Sequence, residues 1–294
     1  MIKKQTLYCE LGASLYTPCT HPQLGRIING GHVPQCRSIV LCLEDAVPEA
    51  SLPQALFNLK AALESIDPKT SVKRFIRPRN PLILAQILKY SGIEFIDGFV
   101  LPKFDSSTEE LYRNILSENK MFGVMPTLET LECFDLDKIR TFRRTLDEHW
   151  KSRVICLRIG GNDLLSLLGM KRMRGTIIYD TPLRSTIDQL VVSFRPYGYE
   201  ISAPVYDVFE DIKTLERELR MDIDYGFFAK TAIHPVQIQS IESAFQYYVQ
   251  CYHDTAQKVL NTDAAVFKKN GQMMESTCHS NWAARTATLA ITPQ

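Results

Sequence analysis

The sequence predicts a single (β/α)8 barrel of the TIM type with a C-terminal helical and hairpin tail, and three observations carry that prediction. Short apolar or β-branched runs alternate with longer segments of helical periodicity, the pattern of parallel strands joined by crossover helices. Eight such runs occur, the number that closes a barrel. The chain of 294 residues has room for a barrel of roughly 250 residues and a tail.

The predicted strands are 13–17, 38–43, 73–77, 98–101, 122–125, 154–159, 200–203 and 226–231. Segments 53–65, 81–91, 108–118, 136–150, 181–193 and 208–219 each offer an apolar face for a helix between them. Asp67-Pro68 and Ser106-Ser107-Thr108 mark turns or helix starts, and no linker is long enough to separate two domains. The segment 169–179, with Lys171, Arg172 and Arg174, reads as a basic surface excursion suited to a phosphate. After the eighth strand, 235–261 reads as a long helix and 264–274 as a hairpin turning at Asn270-Gly271. The expected division is therefore a barrel over 1–250 and a tail over 251–294 that packs on a neighbouring subunit.

Composition narrows the function. Apolar residues at 45% and charged residues at 23% exclude disorder. Lys and Arg (34) balance Asp and Glu (33), so no net field draws in nucleic acid or an anionic membrane, and an anionic ligand must be held by local charges. The eight cysteines form no C-x-x-C pair and read as reduced. With no leader-like or membrane-length apolar stretch, the expected location is cytoplasmic.

Catalytic groups of such barrels stand at the C-terminal ends of the strands. Polar residues ending the apolar runs are Glu44 and Asp45, Arg77, Lys103, Glu129, Asn162 and Asp163, and Lys230 with His234 beyond. Glu129 and Asp163 arrive from adjacent strands at one level, the outline of a site for a hard cation such as Mg2+, with Mn2+ as the alternative. The other reading makes Glu129 a helix cap and Asp163 a helix start. Gly160 and Gly161 would let the backbone approach a small ligand. Arg77 suits the carboxylate of a small acid, or else pairs with Glu44 or Asp45. Lys103 and Lys230 are candidates either for a Schiff base, with Lys103 facing the substrate, or for structural ion pairs.

These residues resemble the HpcH/HpaI aldolase and citrate lyase β-subunit superfamily. The matching pieces are Leu43-Glu44-Asp45-Ala46-Val47, Ile76-Arg77-Pro78-Arg79-Asn80, Val100-Leu101-Pro102-Lys103, Pro126-Thr127-Leu128-Glu129-Thr130, Gly160-Gly161-Asn162-Asp163-Leu164, Lys230-Thr231-Ala232-Ile233-His234-Pro235 and Gly271-Gln272-Met273-Met274-Glu275. Their order is that of the superfamily over most of the chain. The resemblance implies Mg2+-dependent cleavage or formation of a carbon–carbon bond beside the carboxylate of a small 2-oxo or 3-hydroxy acid, commonly with a coenzyme A thioester as partner. It makes Glu129 and Asp163 the metal ligands, Arg77 the carboxylate clamp, Glu44 and Asp45 the groups fixing metal-bound waters, and Glu275 the tail acid/base. It also implies a trimer or hexamer whose tails reach neighbouring sites.

The chain departs from the superfamily in three places. The first strand opens with Gly12-Ala13-Ser14 and ends in Pro18-Cys19-Thr20 where an arginine and a Pro-Gly turn are usual, which bears on thioester binding. The tail offers Glu275 where an aspartate is usual, and the 171–174 excursion has no counterpart. The chain resembles a divergent branch found in bacterial stress and tellurite-resistance gene neighbourhoods. An alternative of another class follows: a barrel without turnover that serves as a ligand-binding or assembly subunit.

Overall fold

The computed structural model describes residues 4–31, 33 and 35–290. The ends of the expected barrel and tail segments, 1–3 and 291–294, and residues 32 and 34 lie outside the described residues. Eight parallel strands are found: β1 Gly12–Pro18, β2 Ser38–Cys42, β3 Lys73–Arg77, β4 Gly98–Leu101, β5 Gly123–Leu128, β6 Leu157–Ile159, β7 Ile201–Ser202 and β8 Ala229–Ala232. Each pairs with the next, β8 returns to β1, and a bridge from Ala203 to Lys230 joins β7 to β8, so the sheet closes on itself as a TIM barrel. β2 and β4 are buried along their whole length because side chains fill one face and helices cover the other, which is why they read as continuous apolar runs.

The helices are α1 Lys4–Cys9, α2 Leu24–Ile27, α3 Leu52–Glu64, α4 Pro81–Ile87, α5 Glu109–Leu116, α6 Leu136–Thr145, α7 Gly161–Leu167, α8 Leu183–Phe194, α9 Ile212–Asp224, α10 Ile238–Asn261 and α11 Ser276–Ala290. Several start where the sequence supplies a cap. Asn80 accepts from the Ile83 N–H ahead of α4, Asp135 from Asp137 and Lys138 ahead of α6, and Asp211 from Thr214 ahead of α9. The last of these moves the helix expected over 208–219 to later residues, since 208–211 are spent reaching the cap.

α1 closes the floor of the barrel. The Tyr8 hydroxyl donates to the Ile201 carbonyl at 2.9 Å and accepts from the Phe228 N–H at 2.9 Å. α10 begins at the mouth, anchored by Gln237, whose Oε1 accepts from the Ile233 N–H and whose Nε2 donates to the Tyr206 carbonyl. Its 24 residues span about 36 Å at 1.5 Å per residue, more than the barrel is tall. Glu242 meets the Ala13 N–H and Arg37 near the floor, and the rest of the helix runs past it. The boundary expected at 250 thus falls inside one continuous helix.

Beyond the floor the antiparallel hairpin of β9 Val266–Lys269 and β10 Gln272–Glu275 turns at Asn270 and Gly271, both at positive φ as a tight hairpin turn requires. Met274 packs with Ala256, Val259 and Ala283 in a small separate core. α11 then returns to the barrel floor, where Arg285 grips Glu200 through two hydrogen bonds of 3.0 and 2.8 Å and donates to the Gly226 carbonyl. Of the eight cysteines, six are buried and two, Cys251 and Cys278, are exposed on this tail; all are free thiols. Among the described residues no helix is long and apolar enough to cross a membrane.

Candidate active site

The strand ends deliver four carboxylates and two cationic side chains to the barrel mouth. Arg77, closing β3, turns its Nη2 to Glu44 at 2.7 Å and to Asp45 and Glu129 at 3.4 Å each. Lys103, two residues beyond β4, donates from Nζ to Glu44 at 2.8 Å and lies 3.5 Å from Asp45. Its φ of 47° is left-handed backbone, rare without a glycine, and the turn it makes aims its own N–H at Glu129 Oε1, 2.7 Å away. Glu44 and Glu129 are buried, whereas Asp45 is exposed. Asp163 is half-buried in the first turn of α7, within electrostatic reach of Asp45, Arg77 and Lys103, and makes no ion pair among the described residues.

Electrostatics follow from that crowding. Burial above all, with Asp163 and Glu44 as like charges, pushes the Glu129 carboxyl up to about 7 against the pull of Arg77. Burial and then Asp45 raise Asp163. Burial also raises Glu44. Asp45 is lowered: burial opposes its ionisation, but its contacts with Glu44, Arg77 and Lys103 outweigh it. With all four carboxylates ionised against two bases, the mouth would carry an excess of two negative charges, and after burial it is these like charges that raise three of the four.

Gly160 makes the pairing of Glu129 with the Asp163 turn possible. A Cβ there would lie 2.4 Å from both Cβ and Oε2 of Glu129, and one at Gly161 would lie 3.1 Å from Pro204 Cβ. The close approaches that these glycines permit are therefore to Glu129 and Pro204. Among the described residues no three His, Cys, Asp or Glu side chains form a full protein cage for a metal. Two carboxylates with a surplus of negative charge suit Mg2+, which keeps several waters and takes only one or two protein carboxylates. The residues fit a divalent cation.

Other sequence candidates are placed elsewhere. Lys230 is fully buried on the outer side of β8, where its Nζ meets Glu218 and Asp222 of α9 and the Pro204 carbonyl, each at 2.8 Å. Arg172 corrects the expected basic surface excursion: its side chain is buried, 2.7 Å from Glu218 Oε2, and donates to the Val205 carbonyl at 2.8 Å. It neutralises the inner face of α9 and is not free for a phosphate, while Lys171 and Arg174 remain exposed. Glu275 ends β10 in the tail, at the opposite end of the barrel from its own chain's mouth. The sequence reading missed Arg158, the lone charged residue within the apolar run 154–159, which reaches across the barrel interior to Thr231.

Comparison with known proteins adds the family. The family model described as C-C_Bond_Lyase of the TIM-Barrel fold matches residues 5–292. A (3S)-malyl-CoA thioesterase of Cereibacter sphaeroides is 22% identical over 214 residues, 71% of this chain and 68% of that protein. Protein CitE of Mycobacterium tuberculosis, solved with magnesium, acetoacetate and coenzyme A, superposes with a TM-score of 0.67 at 20% identity, covering 94% of this chain and 97% of that one. A citrate lyase beta subunit from M. tuberculosis, complexed with oxaloacetate and magnesium, gives 0.61 at 20% identity over 81% and 98%.

Proposed function

The chain belongs to the carbon–carbon bond lyases of the TIM-barrel fold, and on that premise we propose that it is a divalent-cation-dependent lyase or aldolase acting on a small 2-oxo or 3-hydroxy acid. The observation that carries this reading is the double excess of carboxylate at the mouth, with Glu129 and Asp163 on neighbouring strand ends. Glu129 and Asp163 would hold Mg2+, or Mn2+, and Glu44 and Asp45 would accept hydrogen bonds from waters on it. When bound, the cation supplies Lewis-acid polarisation of the oxo or hydroxyl oxygen beside the bond that breaks. Arg77 Nη2 and the Lys103 N–H hold the Glu129 carboxylate in place, and Arg77 Nε, buried with no protein partner, is a donor left for the substrate carboxylate.

A coenzyme A thioester is the proposed second fragment, supported by the thioester named for the Cereibacter relative and the coenzyme bound in the mycobacterial structure. Glu275 takes part only if a neighbouring copy presents it, which requires an oligomer such as a trimer or hexamer. Schiff-base chemistry has less support: Lys230 faces away from the lumen, and the Glu44 hydrogen bond raises the Lys103 ammonium, keeping it a poor nucleophile.

Calorimetric titration with Mg2+ tests the site. The parent is expected to bind, and Asp163→Ala to lose about 100-fold or more in affinity, at least as much as the loss of a group that only supports a ligand. An Asp163→Ala protein that binds Mg2+ as the parent does rejects the assignment. Release of an oxo acid from 3-hydroxyacyl thioesters, dependent on Mg2+ and stopped by EDTA, separates a lyase from a barrel without turnover.

A further inference from the structure

Inside the barrel, beneath the carboxylates, a cation stands without one. Arg158 of β6 is 2% exposed. Its Nη2 donates to Thr231 Oγ1 of β8 at 2.8 Å, its Nη1 lies 3.4 Å from Met125 Sδ of β5, and its guanidinium carbon is 5.4 Å from the ring centre of Tyr16 on β1. β1 and β8 do not adjoin β6 in the sheet, so the side chain crosses the lumen. It makes no ion pair among the described residues, and its Nε has no acceptor.

Two more buried polar atoms in the same lumen lack a protein partner: Oγ1 of Thr127, the register neighbour of Arg158 on β5, and Nε of Arg77. A buried guanidinium without an anion is costly, and an apolar side chain of equal length would fill the same space without that cost. Tyr16 and Thr231, which flank Arg158, are both partly exposed. The Nη2 of Arg77, by contrast, is committed to Glu44, Asp45 and Glu129.

We infer that Arg158, flanked by Thr127, receives a second carboxylate of the substrate, the one remote from the cation, so that the small acid is a dicarboxylate. The inference rests on the reading of the mouth as a cation-dependent lyase site and names the substrate class for it. An acid with one carboxylate leaves Arg158 unpaired in the complex; a dicarboxylate satisfies it.

The test uses full-length protein loaded with Mg2+ and two pairs of acids, 2-oxoglutarate against 2-oxovalerate and oxaloacetate against 2-oxobutyrate. Within each pair a methyl replaces the distal carboxylate. Calorimetry is expected to show at least one dicarboxylate binding about tenfold or more tighter than its match, as charge-assisted recognition of a buried group predicts. Arg158→Met should bring that ratio below about threefold while leaving the Mg2+ affinity unchanged, and Arg158→Lys, which keeps the charge, should fall between. A Mg2+-binding parent that does not discriminate within either pair, or a preference that survives Arg158→Met, overturns the inference and leaves the lyase reading intact. A parent that binds no Mg2+ removes the lyase reading and the inference with it.

Discussion

Ionisation of Glu129 is opposed by burial and by two neighbouring carboxylates, so a cation binding there competes with a proton. With the carboxyl pushed up to about 7, the metal-free group is protonated below that pH and ionised above it. The sign follows: Mg2+ affinity should be flat above about pH 8 and weaken by about tenfold per unit as pH falls below 7, as displacement of one proton requires. Calorimetry at about pH 6 and pH 8 checks this, and equal affinities there contradict the competition. The residues of this site were legible because they terminate apolar runs. Arg158 was not, because a charge inside such a run reads as part of the strand until it is known which neighbours it meets across the lumen. Arg172 read as surface because its partner Glu218 is 46 positions away and only the fold brings them together.

Between strand and helix layers the decisive contact is Lys230 with Glu218 and Asp222, all three fully buried. Lys230→Met would leave two carboxylates of α9 without their ammonium, at a cost of about 3–5 kcal/mol, the range for breaking a buried pair from one side. Urea denaturation measures it, and adding Asp222→Asn should recover part of the loss; a stability equal to the parent's would mean that the network contributes nothing. Most strands were legible from their apolar runs, and β3 and β4 match to the residue. β5 was expected over 122–125, short of Pro126, a residue that cannot donate to a ladder. It continues to Leu128, with Pro126 in register with Leu101, and that continuation carries Glu129 to the mouth. α1 is too short to announce itself, and α11 is rich in Ser and Thr, weak helix formers stabilised here by packing on α10 and the floor.

Over the whole molecule the proposed site and the tail occupy opposite ends of the barrel. The clasp of Arg285 on Glu200 and the Gly226 carbonyl holds α11 to the floor, so Arg285→Ala should cost about 1.5–3 kcal/mol, the worth of hydrogen bonds to a charged group. Hydrogen exchange should show faster exchange over 276–290 with barrel strands and Mg2+ affinity unchanged; loss of metal binding would show that the two ends are coupled. The distribution of thiols gives this separation a practical use. A maleimide dye should react with Cys251 and Cys278 and spare the six buried cysteines. Fluorophores placed there would report by energy transfer whether copies of the chain assemble, and how near their tails then lie to one another.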